Sequence, residues 1–369
     1  MADITTDLCV ALFAEFRRYD QRVRARQYVD GLLAAEGRKS IANIAAAMGV
    51  PGDAQRLHHF VSNAHWEWDP LRRTLIRYLG SAVRSRAWTI GPVSIPKAGR
   101  HSVGVGRHFP VDAHQVVNGQ QAYGLWLASE HLAAPVSWRL LLSDRWREGR
   151  RPGGADEDVC GLLGEARSWG DPSLPVLVDA RGLPEEGLLA SRHLLGGPPL
   201  AVRVSGRVPA VPGHPALAGG RRRPVPVRKV LDTARRLGLA PAADRHRRST
   251  GTATARVRLS GCGPASESVL AFGVWREPHR PPSEVWLTNM RSATPASLLR
   301  LTRLPHRSAE GWRTKGADVG LRDFEGRSLR GWHRHMTLAS CAYAISTLNA
   351  TGAVPRHGHP AHRCAEVSA

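Results

Sequence analysis

The sequence of 369 residues predicts an α/β fold. Residues 174–182 form a short apolar run, rich in β-branched residues, that ends in one carboxylate, Asp179, and then a glycine. Such a run is typical of a central strand covered on both faces. Residues 200–204 form a second apolar run, and residues 184–194 between the two have the spacing of a helix. The pattern therefore predicts a β-α-β unit with Asp179 at the carboxyl end of its first strand, where open α/β sheets place their sites.

The amino-terminal part of the chain, from residue 7 to about residue 80, has apolar residues at helical spacing. Within it, Ser40 can cap a short helix that Gly49 can end, and a second helix is predicted over residues 53–61. A short helix, a glycine turn and a second helix are the outline of a helix-turn-helix. This pair is either a packing unit or an element that reads DNA.

The pattern changes to strands after residue 86. Four strand-like runs follow, at residues 87–90, 102–109, 121–128 and 135–142. A helical stretch over residues 158–169 then leads into the Asp179 strand. The order strand, strand, strand, helix, strand, helix, strand is that of an RNase H-like domain. That fold places acids from neighbouring elements around divalent metal ions.

The chain after residue 204 is predicted to hold a β-rich insertion and then helices. Residues 219–229 form a basic, extended segment, which is either a track for a phosphate backbone or a plain exposed loop. Strand-like runs follow at residues 252–259, 269–275 and 285–288, and a helix is predicted over residues 295–304. The predicted parts of the chain are a helical amino-terminal region (1–85), the first part of an RNase H-like core (86–206), a β-rich basic insertion (207–292), the closing helices of the core (293–350) and a disordered tail (351–369).

The charge of the chain predicts a polyanionic partner. Lysine and arginine number 52 against 31 acidic residues, which gives a net charge of +21. Nearly all of the positive charge is arginine, whose planar fork pairs with phosphate; the alternative is a solvated basic surface. No apolar run approaches a membrane span, and the amino terminus lacks the design of a signal peptide. The five cysteines form no CxxC pair, so we expect a cytoplasmic protein without a membrane partner.

Several segments together resemble one known family. They are the helices over residues 26–68, the segment at residues 95–105, the Asp179 strand and the arginine-rich stretch at residues 320–335. In this order they resemble the DDE-type insertion-sequence transposases whose RNase H-like domain is a DDE superfamily endonuclease. The resemblance implies DNA as the partner, cleavage and transfer of DNA strands, and action as a homodimer. It also implies two Mg²⁺ or Mn²⁺ ions held by two aspartates and a glutamate.

The acidic residues of this chain match the two aspartates and the glutamate of the family only in part. Asp179 matches the second aspartate and is the predicted metal ligand, but Gly91 and Pro92 occupy the place of the first. The third acid is either Glu310, ahead of a lysine and a Gly-Leu step, or Glu325. For Glu325 the alternative is an ion pair with Arg322, Arg327 or Arg330.

Two interpretations follow from this departure. The chain either binds DNA without catalysis, as a transposase relic or a domesticated regulator, or remains active with Asp112 or Asp144 as a substitute acid. Metal ions are expected only in the active case. The side chains predicted to contact DNA are Arg107, Arg181, Arg221, Arg222, Arg223, Arg327, Arg330, His333 and Arg334.

Overall fold

The structure is a computed structural model that describes most of the chain. The described residues are 4–113, 115–142, 146, 154–183, 197–218, 223–238, 251–259 and 268–353. The helix predicted over residues 184–194, Asp144, Arg221, Arg222 and the tail from residue 354 onward lie outside them.

Helices form the amino-terminal region, as the apolar spacing predicts. They are α1 (Ile4–Phe13), α2 (Tyr19–Ala34), α3 (Ile41–Ala47), α4 (Ala54–Ser62) and α5 (Asp69–Ala82). Ser40 caps α3 by accepting a hydrogen bond from the backbone N–H of Asn43 at 3.2 Å. Gly49 then turns the chain with a φ of 67°, a conformation that favours glycine. The predicted pair of short helices is therefore present as α3 and α4.

A mixed sheet forms the centre of the fold. Its first strands along the chain are β1 (Ala87–Pro96), β2 (Gly106–His108), β3 (Val117–Ala128), β4 (Ala133–Leu141), β5 (Val176–Asp179) and β6 (Leu200–Val204). β3 lies between β4 and β1 and is antiparallel to both, whereas β5 and β6 follow β1 as parallel strands. Helix α6 (Ala155–Trp169) precedes β5 and packs on β1, β3 and β4. This arrangement is that of an RNase H-like domain, so the predicted α/β fold class is confirmed.

Two predicted strands have different bounds in the structure. β1 does not end at Ile90 but continues through Gly91 and Pro92, because β3 pairs with it residue by residue as far as Pro96. The run over residues 102–109 is extended only at β2, since Gly104 adopts a φ of 73° and breaks the strand before it. The two antiparallel pairings and the parallel pairing with β5 leave β1 in the middle of the RNase H-like part.

The region predicted as an insertion extends the same sheet with the three predicted strands and with two more that the sequence does not predict. The two additional strands are β7 (Pro209–Pro212) and β8 (Val225–Pro226), and the predicted strands are β9 (Gly251–Leu259), β10 (Val269–Trp275) and β11 (Glu284–Thr288). β11 pairs antiparallel with β6, and β10, β9, β7 and β8 follow in that order. The boundaries at residues 207 and 292 stay predictions, and the sheet is continuous across the join between β6 and β11.

The basic segment predicted as extended is partly helical. After the short helix α7 (Pro215–Ala218) and β8, the chain forms helix α8 (Val227–Arg236). Val227, Val230, Leu231 and Ala234 are buried, and their spacing gives one apolar face that packs on β9 and β10. The many charged residues in the same segment favour an extended surface loop, so composition alone does not predict this helix.

The closing helices complete the core. They are α9 (Pro295–Leu301), α10 (Leu304–Arg313), α11 (Lys315–Asp318) and α12 (Leu329–Thr351). α12 is the central helix: residues 331–345 are all buried, and it packs against β4 on one side and against α1, α2, α4 and α5 on the other. Within the described ranges, no helix has the length and apolar character needed to cross a membrane.

Candidate active site

β5 and β6 end at the same edge of the sheet, and β1 runs past the end of β5 there. β1 and β5 run parallel, and their last paired residues are Ile90 and Val178. The next residues along the two strands are Gly91 and Asp179, which therefore lie side by side. Asp179 pairs in turn with Arg203 of β6. Side chains at one register position of neighbouring strands point to the same face, so position 91, Asp179 and Arg203 form a row.

Two arginines surround the carboxylate of Asp179. Arg181 donates from Nε to Oδ1 at 2.9 Å, from Nη2 to Oδ2 at 2.6 Å, and from its backbone N–H to Oδ1 at 3.2 Å. Arg203 approaches from β6, with Nη1 3.6 Å from Oδ2. The Asp179 side chain is only 11% exposed. The acid at the strand end is thus already neutralised by guanidinium groups from its own chain.

A second carboxylate, Glu284 at the start of β11, joins the row through Arg203. Arg203 Nη2 lies 4.0 Å from Glu284 Oε1. The same oxygen accepts hydrogen bonds from His306 Nε2 at 2.7 Å and from Arg276 Nη2 at 3.3 Å. Burial acts to raise the pKa of Glu284, but the hydrogen bond from His306 and the charge of Arg203 lower that pKa to about 2. Glu284 is therefore charged in the folded protein and is held by basic groups.

Helix α10 covers this row from above. Its Ser308 hydroxyl lies 2.7 Å from the hydroxyl of Thr89 on β1, and His306 reaches Glu284. Glu310 lies further along the same helix and is exposed. The neighbouring Gly311 packs against Tyr343 so closely that an added Cβ would be 2.3 Å from the tyrosine hydroxyl. Glu310 therefore faces solvent beside α12, and His306 is the side chain that α10 contributes to the row.

The other predicted acids have basic partners of their own. Glu325 is exposed and forms an ion pair with Arg38, so the predicted ion pair is present but with a different arginine. Asp112 is 78% exposed and accepts a hydrogen bond from Arg181 Nη1 at 3.1 Å. Arg181 thus lies between Asp112 and Asp179 and separates the two carboxylates. Asp144 lies outside the described residues.

A family model described as "DDE superfamily endonuclease" matches residues 11–254. The chain belongs to this family. No curated protein matches the chain. The matched residues include the amino-terminal helices, position 91 and Asp179, and they end before Glu284, Glu310 and Glu325. The transposase resemblance is therefore confirmed at the level of the family.

The DDE family implies divalent metal ions, and the residues of this chain do not fit them. Two divalent cations close together need several carboxylates to offset their charge. Here the residue beside Asp179 is Gly91, which has no carboxylate. Both side-chain oxygens of Asp179 already accept hydrogen bonds from Arg181. Among the described residues, no group of three or more His, Cys, Asp or Glu side chains is placed to hold a metal ion. We therefore derive no catalytic step through a metal at this edge.

The arginines predicted to bind DNA fall into two groups. The side chains of Arg107, Arg223, Arg327 and Arg330 are exposed and can meet a phosphate backbone. Arg181 is held between Asp179 and Asp112, and these contacts raise its pKa above the ordinary value although burial acts to lower it. Its guanidinium serves as a counter-charge inside the protein. The predicted contacts of Arg221 and Arg222 lie outside the described residues.

Two predicted DNA contacts are wrong because the side chains are buried. Arg334 is 2% exposed, donates to the backbone carbonyls of Trp66 and Val61, and lies with its guanidinium 5.3 Å from the Trp66 ring centre. His333 is 9% exposed and stacks on Trp68 at 4.8 Å. Both residues hold the amino-terminal helices against α12. Their position in an arginine-rich stretch suggested a surface role, but the helix turns them inward.

Sequence reasoning missed Arg203, Glu284 and His306. Arg203 is the single charge in an otherwise apolar strand, and Glu284 directly precedes another apolar run, so each carries a local signal. A charge in a buried strand requires a partner. The partner's identity depends on β11 pairing with β6 and on the path of α10, and neither can be read from the spacing of residues.

Proposed function

We propose that this DDE-family chain binds DNA and does not cleave it by a metal-dependent mechanism. One observation carries the proposal: the Asp179 carboxylate is occupied by Arg181 and Arg203, while the neighbouring position is a glycine. Guanidinium groups of the chain lie beside Asp179, in the positions where a metal centre would need metal ions and further carboxylates. The chain keeps the fold of a nuclease and the charge of a DNA-binding protein.

The positions of the exposed arginines support a binding surface at the same edge of the sheet. Lys97, directly after β1, donates to the carbonyls of Arg322 and Phe324, each at 2.8 Å. This contact fixes the loop that carries Arg327 beside the carboxyl end of β1. Arg107 on β2 lies near the same end, because β2 and the end of β1 pair with the same part of β3. A DNA backbone lying across this edge would meet arginines from both segments.

We expect the affinity for duplex DNA to fall steeply with salt and to be the same in Mg²⁺ and in EDTA. The double variant Arg107→Ala, Arg327→Ala should bind more weakly, and its plot of log affinity against log salt should be shallower by about 2. Fluorescence anisotropy with a labelled duplex, titrated from about 50 to about 300 mM salt, measures both quantities.

A matched control uses an exposed arginine away from this edge. Arg86 directly precedes β1 at the opposite edge of the sheet, is exposed and already pairs with Glu130, so Arg86→Ala should leave the affinity and its salt dependence unchanged. An affinity that stays flat as salt rises, or one that requires Mg²⁺, would contradict the proposal.

A further inference from the structure

A cavity of about 480 Å³ lies at the opposite edge of the sheet from Asp179. It is bounded by the end of α5, the start of β1 and the end of α6, and Leu174 before β5 forms part of its wall. These are the amino-terminal ends of the parallel strands, so the cavity is separate from the row of Asp179, Arg203 and Glu284. Its volume is within the range of sites for small molecules.

Two tryptophans form the aromatic part of the cavity wall. Trp88 on β1 is 1% exposed, and its Nε1–H has no hydrogen-bond partner in the part of the chain that the structure describes. Gly170 lies against the edge of the ring that carries Nε1: an added Cβ there would be 2.3 Å from Cζ2 and 3.2 Å from Cε2. The backbone of Gly170 therefore packs directly against this edge, and a larger residue would not fit there. Trp169, at the end of α6, is half-buried and supplies the second indole.

The mouth of the cavity is basic. Arg84 is exposed and makes no ion pair or hydrogen bond with any described residue. Arg77 is 70% exposed, with Glu15 at 3.4 Å as its carboxylate contact. Asp171 adds one acid, and its Oδ1 accepts hydrogen bonds from the backbone and hydroxyl of Ser173. A free guanidinium beside buried indoles suits a planar ligand that carries an anionic group.

We propose that this cavity binds a nucleotide. The base would lie against the partly exposed indole of Trp169, and the buried Trp88 would form the floor of the cavity. The phosphate would pair with Arg84 and Arg77. A free nucleoside monophosphate and a nucleotide within a DNA strand share this chemistry, and the experiment distinguishes the two sources. The proposal does not depend on the DNA-binding surface at the other edge.

Isothermal titration of the full chain with AMP, adenosine and inorganic phosphate tests the proposal. AMP should bind saturably and at least about tenfold more tightly than either part alone, because only AMP uses the indoles and the arginines together. Trp169→Ala removes the indole against which the base would lie, and should weaken AMP binding about fivefold. Arg84→Ala, an exposed change that leaves the core intact, should weaken AMP binding and leave adenosine binding unchanged.

A matched pair of glycines provides a blocking variant and its control. Gly80 on α5 and Gly164 on α6 are both exposed helical positions where an added Cβ meets nothing within 4 Å. Gly80 lines the cavity and Gly164 does not. Gly80→Phe should abolish AMP binding, whereas Gly164→Phe should retain it.

The same variants separate the two sources of the nucleotide. Displacement of AMP from the wild type by a single-stranded tetranucleotide, together with loss of tetranucleotide binding in the cavity of Gly80→Phe, would assign the site to DNA strands. AMP binding without such displacement would assign the site to free nucleotides. Either result supports a nucleotide site. AMP binding that is no tighter than phosphate binding, or that survives Gly80→Phe, overturns the proposal.

Discussion

Asp179→Asn is expected to lower the free energy of unfolding by about 3 kcal/mol, because it leaves buried guanidinium groups without their shared counter-charge. Asp179 and Arg203 are each 11% exposed, so solvent cannot take the place of the carboxylate. Burial already lowers the pKa of Arg203, although the charges of Asp179 and Glu284 act to raise it. Urea denaturation followed by circular dichroism, carried out in EDTA, measures the change.

Asp112→Asn is the matched control for this experiment. Asp112 also pairs with Arg181 but is 78% exposed, so its loss should change the stability by less than about 0.5 kcal/mol. The opposite result at position 179 has a distinct meaning. In a metal site without its metal, neighbouring carboxylates repel one another, and replacing one of them leaves the stability unchanged or raises it. A neutral or stabilising Asp179→Asn would therefore contradict the arginine-paired description of this acid.

The triple variant Gly91→Asp, Arg181→Ala, Arg203→Met is expected to gain a divalent cation that the wild type does not bind. An added Cβ at position 91 meets no atom within 4 Å, so an aspartate has room beside Asp179. Removing Arg181 frees the Asp179 oxygens from their hydrogen bonds, and removing Arg203 takes away the guanidinium that Asp179 and Glu284 share. Three carboxylates would then face one another, which suits Mg²⁺ or Mn²⁺.

Thermal denaturation with and without Mn²⁺ measures this gain. If the dissociation constant is about 0.1 mM, about 10 mM Mn²⁺ would add about 2.7 kcal/mol of stability to the triple variant. The wild type should show no shift beyond that of a salt of equal ionic strength. The control is Gly91→Ala, Arg181→Ala, Arg203→Met, which changes the same positions without adding a carboxylate and should not respond. Stabilisation of the wild type by Mn²⁺ would show that its own residues hold the metal.

The elements that depend on local pattern could be predicted from the sequence. The Asp179 strand, the strand at residues 200–204 and the capped helix after Ser40 each carry their signal within a few residues. The β1 bounds could not be predicted in the same way, because Gly91 and Pro92 are typical of a turn. Pairing with β3 keeps these two residues extended.

The partners of Asp179 could not be predicted because they are set by tertiary structure. Arg181 is two residues away and carries a local signal, whereas Arg203 becomes a neighbour only through the register of β5 and β6. The pairing of β11 with β6 places Glu284 beside Arg203, and the path of α10 brings His306 to Glu284. The same reason explains the wrong prediction for Arg334: an arginine at a buried helical position binds backbone carbonyls, which no count of basic residues can indicate.

The central claim is that arginines, not metal ions, neutralise the acid at the end of β5, so that the chain binds DNA without cutting it. Nicking of supercoiled plasmid in Mg²⁺ and in Mn²⁺, with the wild type and Asp179→Asn compared on the same plasmid and gel shifts run alongside, tests this most directly. We expect the wild type to shift the DNA and leave it intact with either metal, and the variant to add no nicking. Metal-dependent nicking by the wild type that disappears in Asp179→Asn would contradict the claim.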